Sequence, residues 1–209
     1  VGARAFAQYQ SGSDMQRYGG QIYGRGGAFD GLLAVALRDA GPIRQGGGTK
    51  LRPADTSSNA WLAKAGAALG NGFRVQASHN QFRLDDFGPN NPQANASFPA
   101  MQSHDVDANE TVLGLSRADD TGRFALRGTL YRSRLHRVTA PNATVTPALA
   151  GVDVSVRTTG GSLQSTFGFA TGGLDHRLTA GVDAYEEQDR TATAGAPNSV
   201  NPNCRHTRS

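Results

Sequence analysis

Apolar and polar residues alternate with a period of two along most of the chain, the spacing of half-exposed β-strands and not of helices. Phe124, Leu126, Gly128 and Leu130 fall on one side of such a segment, with Arg127 and Thr129 on the other. Leu178, Ala180, Val182 and Ala184 likewise oppose Thr179, Gly181, Asp183 and Tyr185, and Phe73, Val75 and Ala77 oppose Arg74, Gln76 and Ser78. About nine strands are predicted, over residues 3–10, 16–24, 29–38, 60–69, 73–84, 109–117, 124–136, 154–170 and 176–188. The third alternates least cleanly, because Leu32, Ala34 and Ala36 lie between Leu33, Val35 and Leu37. Gly31 and Val35 are poor helix residues and glycines flank the segment, so it too reads as a strand.

Short and long connections alternate between these segments. Gly26-Gly27, Gly70-Asn71-Gly72, Asp119-Asp120-Thr121-Gly122 and Thr171-Gly172-Gly173-Leu174-Asp175 have hairpin chemistry. Residues 39–59, 85–108 and 137–151 are long, polar and rich in Pro, Gly or Asn, as exposed loops are. Short turns at one end and long loops at the other are the mark of an up-and-down barrel of the outer membrane. The fold expected is therefore all-β, an antiparallel up-and-down transmembrane β-barrel segment.

Composition narrows this reading. The chain is 37% hydrophobic with a mean hydropathy of −0.46 and 27 Gly, and no run of about 18 apolar residues exists for a membrane helix. One cysteine, Cys204, allows no internal disulfide. The formal charge of +4 is spread over scattered arginines without interleaved aromatics, so no nucleic-acid partner is expected. The chain opens on Val1-Gly2-Ala3-Arg4 and has no export signal, which reads as a processed or internal piece.

Tyr23-Gly24-Arg25, Ala28-Phe29-Asp30-Gly31-Leu32-Leu33 and Arg38-Asp39 resemble early barrel strands of TonB-dependent outer-membrane receptors of the haem, haemoglobin or siderophore type. Leu178-Thr179-Ala180-Gly181-Val182-Asp183-Ala184-Tyr185-Glu186 resembles one of their mid-barrel strands. The likeness extends to about Arg190. It implies residues 1–190 as a partial receptor barrel and 191–209 as a loop or disordered tail, in the bacterial cell outer membrane. Such receptors have a plug and a 22-stranded barrel, whereas about nine strands make an incomplete wall. The resemblance thus implies a fragment lacking plug and C-terminal strands, whose partners are outer-membrane lipid and an extracellular iron carrier. The TonB complex would be reached only through a plug domain absent from this chain. The function expected is active transport of haem, haemoglobin or a siderophore, with barrel wall and capture loops supplied by this chain. Other readings are a porin or adhesin-like barrel, or a soluble β-sandwich binding module.

Candidate chemistry is sparse. No resident cofactor is expected, haem or a ferric siderophore being cargo. His104, in a long loop, and His136, near the extracellular end of a strand, are the haem-ligand candidates, because imidazole is a common axial ligand. Asn201-Pro202-Asn203 matches only part of the family's Asn-Pro-Asn-Leu box. Asp105-x-Asp107-x-Asn109 has the oxygen spacing that opens a calcium loop but lacks the later Gly and Glu. Gly24-x-Gly26-Gly27 and Gly46-Gly47-Gly48-Thr49-Lys50 fit no phosphate-loop pattern, and no Gly-x-Ser-x-Gly elbow occurs. The chain is not expected to be an enzyme. Phe124, Leu126, Leu130, Leu178 and Val182 are expected toward lipid, and Arg127, Thr129, Asp183 and Tyr185 toward the lumen. Tyr9, Trp61, Phe82, Tyr131 and Tyr185 are candidate interfacial anchors.

Overall fold

The computed structural model describes residues 1–44, 46–48, 50, 55–89, 101–119, 123–141, 151–193 and 205–208. Every strand belongs to a single antiparallel sheet in which sequence neighbours are spatial neighbours. In order these are β1 (Gly2–Gln10), β2 (Met15–Gly26), β3 (Phe29–Ala40), β4 (Asp55–Gly70), β5 (Phe73–Pro89), β6 (Met101–Ala118), β7 (Phe124–Pro141), β8 (Val152–Thr171) and β9 (Leu174–Thr193), followed by the short β10 (Arg205–Arg208). The up-and-down order comes from hairpin turns that match strand twist. Asn71-Gly72 and Gly172-Gly173 both place two successive residues at positive φ, the backbone of a tight turn that few other residue types accept.

All nine expected strands form, but most are longer than expected, chiefly at the loop end. His104, Asp105 and Asp107 lie within β6 and not in a loop. β9 continues to Thr193, and Arg205–Arg208 pairs with β9, so these parts of the expected tail are strand. The alternation of short and long connections has one exception. Residues 11–14 form a four-residue turn at the end where the other connections are long. That turn anchors the next connection: the Gly41 N–H donates to Ser13 and the Arg44 N–H to Gly12. Asp14 accepts from Arg44 at 2.5 Å and from the Tyr9 hydroxyl at 3.1 Å.

The sheet is open, for β1 pairs only with β2 and β10 only with β9. Among the described residues there is no second sheet. Nor is there an ordinary core, since Met15 and Ala40 are the only buried apolar residues. β3 shows the cause most plainly. Phe29, Gly31, Leu33, Val35 and Leu37 are exposed while Asp30, Leu32, Ala34 and Ala36 are half-buried, as on the convex and concave sides of a curved sheet. The more apolar side is the more exposed one. We call these the outer and inner faces.

Candidate functional site

Register assigns every residue to a face, because partners across strands share a side and successive residues alternate. One row on the outer face runs Ala3, Ile22, Leu33, Ala63, His79, Thr111, Arg132, Thr159, Glu186. It begins apolar and ends charged. The reason emerges when each strand is followed along its outer face. On β3 the apolar stretch covers residues 29–37, and on β9 residues 174–184, interrupted by His176, whose ring stacks on Phe169 at 5.0 Å. Leu37 is in line with Arg190 and Gly31 with Ala184, so the loop-side border descends six residues between β3 and β9. Phe29 is in line with Val182, so the turn-side border, at Leu174, descends eight. Averaged from β3 to β9 the outer band is thus slanted against the register rows, its loop-side border stepping down between Leu37 on β3 and Ala77 on β5 and then keeping the row of Leu113, Leu130 and Ala184.

The slant is quantitative. Six strand spacings of ~4.8 Å make about 29 Å, and six to eight residues of ~3.3 Å make about 20–26 Å, which gives an angle of about 35–42°. The band is about 27 Å long on β3 and about 34 Å on β9, or about 21–26 Å perpendicular to its edges at that tilt.

Beyond the loop-side border the outer face changes character. The outer face becomes charged, with Arg83, Asp105, Asp107, Arg132, Arg134, His136, Asp153 and Arg157. Arg83 pairs with Asp107 at 2.9 Å and His136 Nε2 with Asp153 at 2.9 Å. The inner face there is mixed: Phe6, Gly19, Ala36, Ala60, Phe82, Ala108, Leu135 and Val156 make one apolar row that ends on Asp189, beside a polar row of Asn80, Glu110, Ser133, Thr158 and Glu187. At the turn end the inner face is polar, and Arg74 donates to Asp30 at 2.5 Å. Arg117 is the cation inside the outer band. Its guanidinium lies 4.9 Å from the Phe73 ring centroid and 5.4 Å from that of Phe124, so two ring faces stand in for water.

The inner row contains a depression of about 660 Å³ bordered by Phe6, Arg4, Arg17, Ala36, Ala60 and Phe82. Phe6 packs over Gly19, where any Cβ would collide with its ring. The Arg17 guanidinium sits 5.3 Å from the Phe6 centroid. Small alanines between two phenylalanines, with arginines at the rim, suit a flat or amphiphilic anion.

The residues expected toward lipid share one face and those expected toward the lumen share the other. Phe124, Leu126, Leu130, Leu178 and Val182 are on the outer face, and Arg127, Thr129, Asp183 and Tyr185 on the inner. Among the proposed anchors, Tyr9 and Trp61 are on the outer face, but Phe82, Tyr131 and Tyr185 point inward, because aromatic identity says nothing about register. His104 is on the inner face, with Nδ1 3.1 Å from the Thr139 hydroxyl, whereas His136 is on the outer. Facing opposite ways, the two histidines are not placed to share one iron. Asp105, Asp107 and Asn109 share an outer row of β6 and converge on nothing, and no group of metal-ligating side chains occurs among the described residues. Asn201 to Cys204 lie outside those residues. The inner depression was missed in the sequence because its lining comes from five strands. No family model matches the chain, and no similar curated protein was found.

Proposed function

We propose that this chain forms part of the wall of an outer-membrane β-barrel receptor for an iron carrier, haem, haemoglobin or a siderophore. The outer band faces lipid, and the inner face lines the lumen. One observation carries the membrane reading: an exposed apolar band whose edges, averaged from β3 to β9, slant at about 35–42° to the register rows. Strands of outer-membrane barrels tilt by about 35–45° behind an apolar belt about 25 Å tall, and a horizontal belt drawn on tilted strands must cross their register at that angle. The change of the outer face from apolar to charged at the loop-side border supports the same orientation, since strands that emerge from lipid meet water on their outer face. Trp61, at that border on β4, fits the interfacial role of tryptophan.

In lipid, unpaired edge N–H and C=O groups are costly, so the free edges of β1 and β10 must be paired, and the edges of a second copy can pair them when the chain is refolded alone. Iron-carrier uptake rests on the motif resemblance, and the inner depression, with its phenylalanines and arginines, is the surface on this chain best suited to such a ligand. The chain is tested by refolding into phosphatidylcholine vesicles that contain lipids brominated at different depths. The single tryptophan reports position. Quenching of Trp61 chiefly by shallow bromines is expected, together with haem or ferric-siderophore binding that weakens in Phe82→Ala. A chain that stays monodisperse in buffer, with Trp61 open to iodide, contradicts the membrane reading. Binding of haem and siderophores unchanged in Phe82→Ala contradicts the ligand surface.

A further inference from the structure

Three arginines stand together on the outer face immediately past the loop-side border of the band. Arg132 and Arg134 are alternate residues of β7, and Arg134 is the direct register partner of Arg157 on β8. All three are exposed. Like charges directly opposed across a sheet repel, and none of the three joins an ion pair seen among the described residues. Nearby charges on the same face are engaged differently: Asp107 holds Arg83, and Asp153 holds His136. Glu186, in the row of Arg132, is separated from it by Thr159. An arrangement that concentrates positive charge in this way calls for an external anion.

What lies below the arginines identifies the kind of anion. Two residues nearer the turns, Leu130 is 64% exposed. It borders a depression of about 820 Å³ in the outer band, where Ala67, Ala77 and Gly128 leave room between Phe29, Leu113 and Leu163. Cationic groups about 7 Å along the strand from an apolar hollow match a molecule with phosphates above hydrocarbon chains. A free phosphate makes no use of the hollow. We propose that Arg132, Arg134 and Arg157 bind the phosphates of an outer-leaflet glycolipid whose acyl chains lie in the depression below. This rests on the membrane orientation proposed above. Guanidinium groups suit phosphate because they donate in a planar fork.

The test uses the full chain in phosphatidylcholine vesicles with or without lipid A, a diphosphorylated glycolipid, and reads lipid A retention together with Trp61 quenching. Each Arg→Gln change is expected to weaken retention about fivefold, and the triple variant about a hundredfold, with Trp61 depth unchanged. Arg4→Gln/Arg17→Gln, on the inner face, should leave retention intact. Equal retention by the triple variant and the parent, with Trp61 still shielded, overturns the glycolipid site alone. Trp61 open to iodide in both vesicle types overturns the membrane orientation and the site with it. Retention abolished by inorganic phosphate at equal phosphate concentration overturns the lipid as occupant.

Discussion

Leu33 on β3 and Arg132 on β7 stand in the same register row on the same face of one sheet, yet one lies in the middle of an apolar stretch and the other just outside one. If chemistry followed strand register, such a row would keep one character throughout. It follows instead a border that steps down from Leu37 on β3 through Trp61 on β4 to Ala77 on β5 and then keeps that row to Ala184 on β9, while the turn-side border goes on descending. The lesson is that a residue's side of that border, and not its place in the ladder alone, decides which side chains the outer face carries.

The most disruptive way to probe this contrast is to exchange the two residues. Leu33→Arg puts a charge at the centre of the band and is expected to cost ~2–4 kcal/mol in reversible folding into vesicles, whereas Arg132→Leu costs ~0–1 kcal/mol. Equal costs would break the comparison. Next in size is the inner face, where Tyr131 and Tyr185 close over Gly160. A Cβ there would lie 2.6 Å from the Tyr131 hydroxyl and 2.7 Å from the Tyr185 Cβ. Gly160→Val should cost ~1–3 kcal/mol by overpacking, while Gly26→Ala, with open space around it, should be near neutral in the same denaturant titration.

A smaller effect is expected from the ion pair of the polar inner end. Arg74 and Asp30 are 36% and 35% exposed, so solvent screens much of their attraction. A double-mutant cycle with Arg74→Ala and Asp30→Ala should give a coupling below ~1 kcal/mol. A larger value would mean that the inner face excludes water more than its exposure implies. The smallest effect is at the loop end. The hydrogen bond from Arg44, and then that from Tyr9, hold the Asp14 carboxyl below its usual value. A depressed carboxylate stabilises the fold above its unfolded pKa of ~3.9, and that contribution is lost as pH falls through the folded value. Amide exchange at Gly41 and Arg44 should therefore show no loosening of the anchor from about pH 8 down to about pH 5 and loosening only in stronger acid. Asp14→Asn should remove that acid dependence.

Much of the fold was legible because a strand writes its period of two into the sequence wherever its faces differ. Residues 124–130 and 178–184 carry it cleanly, and their face assignments hold. The extensions were illegible for a physical reason: past the border the outer face turns from apolar to charged, so Asp105-x-Asp107 presents charge where the lower strand presents leucine. A reader following one apolar face loses the strand there and reads a loop. Arg205–Arg208 is too short to show a period, and its pairing with β9 is a tertiary fact. The slant of the band, the opposed faces of His104 and His136, and the grouping of Arg132, Arg134 and Arg157 all require register between strands, which no single segment contains.

The central claim is that the exposed apolar face meets lipid, and a cysteine scan of β3 tests it most directly. With Cys204 replaced by Ser, single cysteines from position 29 to 37 carry a nitroxide in vesicles, and collision with oxygen and with a water-soluble nickel chelate is read for each. Oxygen access should peak at 29, 31, 33, 35 and 37, with nickel access at the positions between them, and the oxygen advantage should be greatest near 33. Labels at all nine positions equally open to the nickel chelate, or an alternation with the even positions in lipid, would contradict the account.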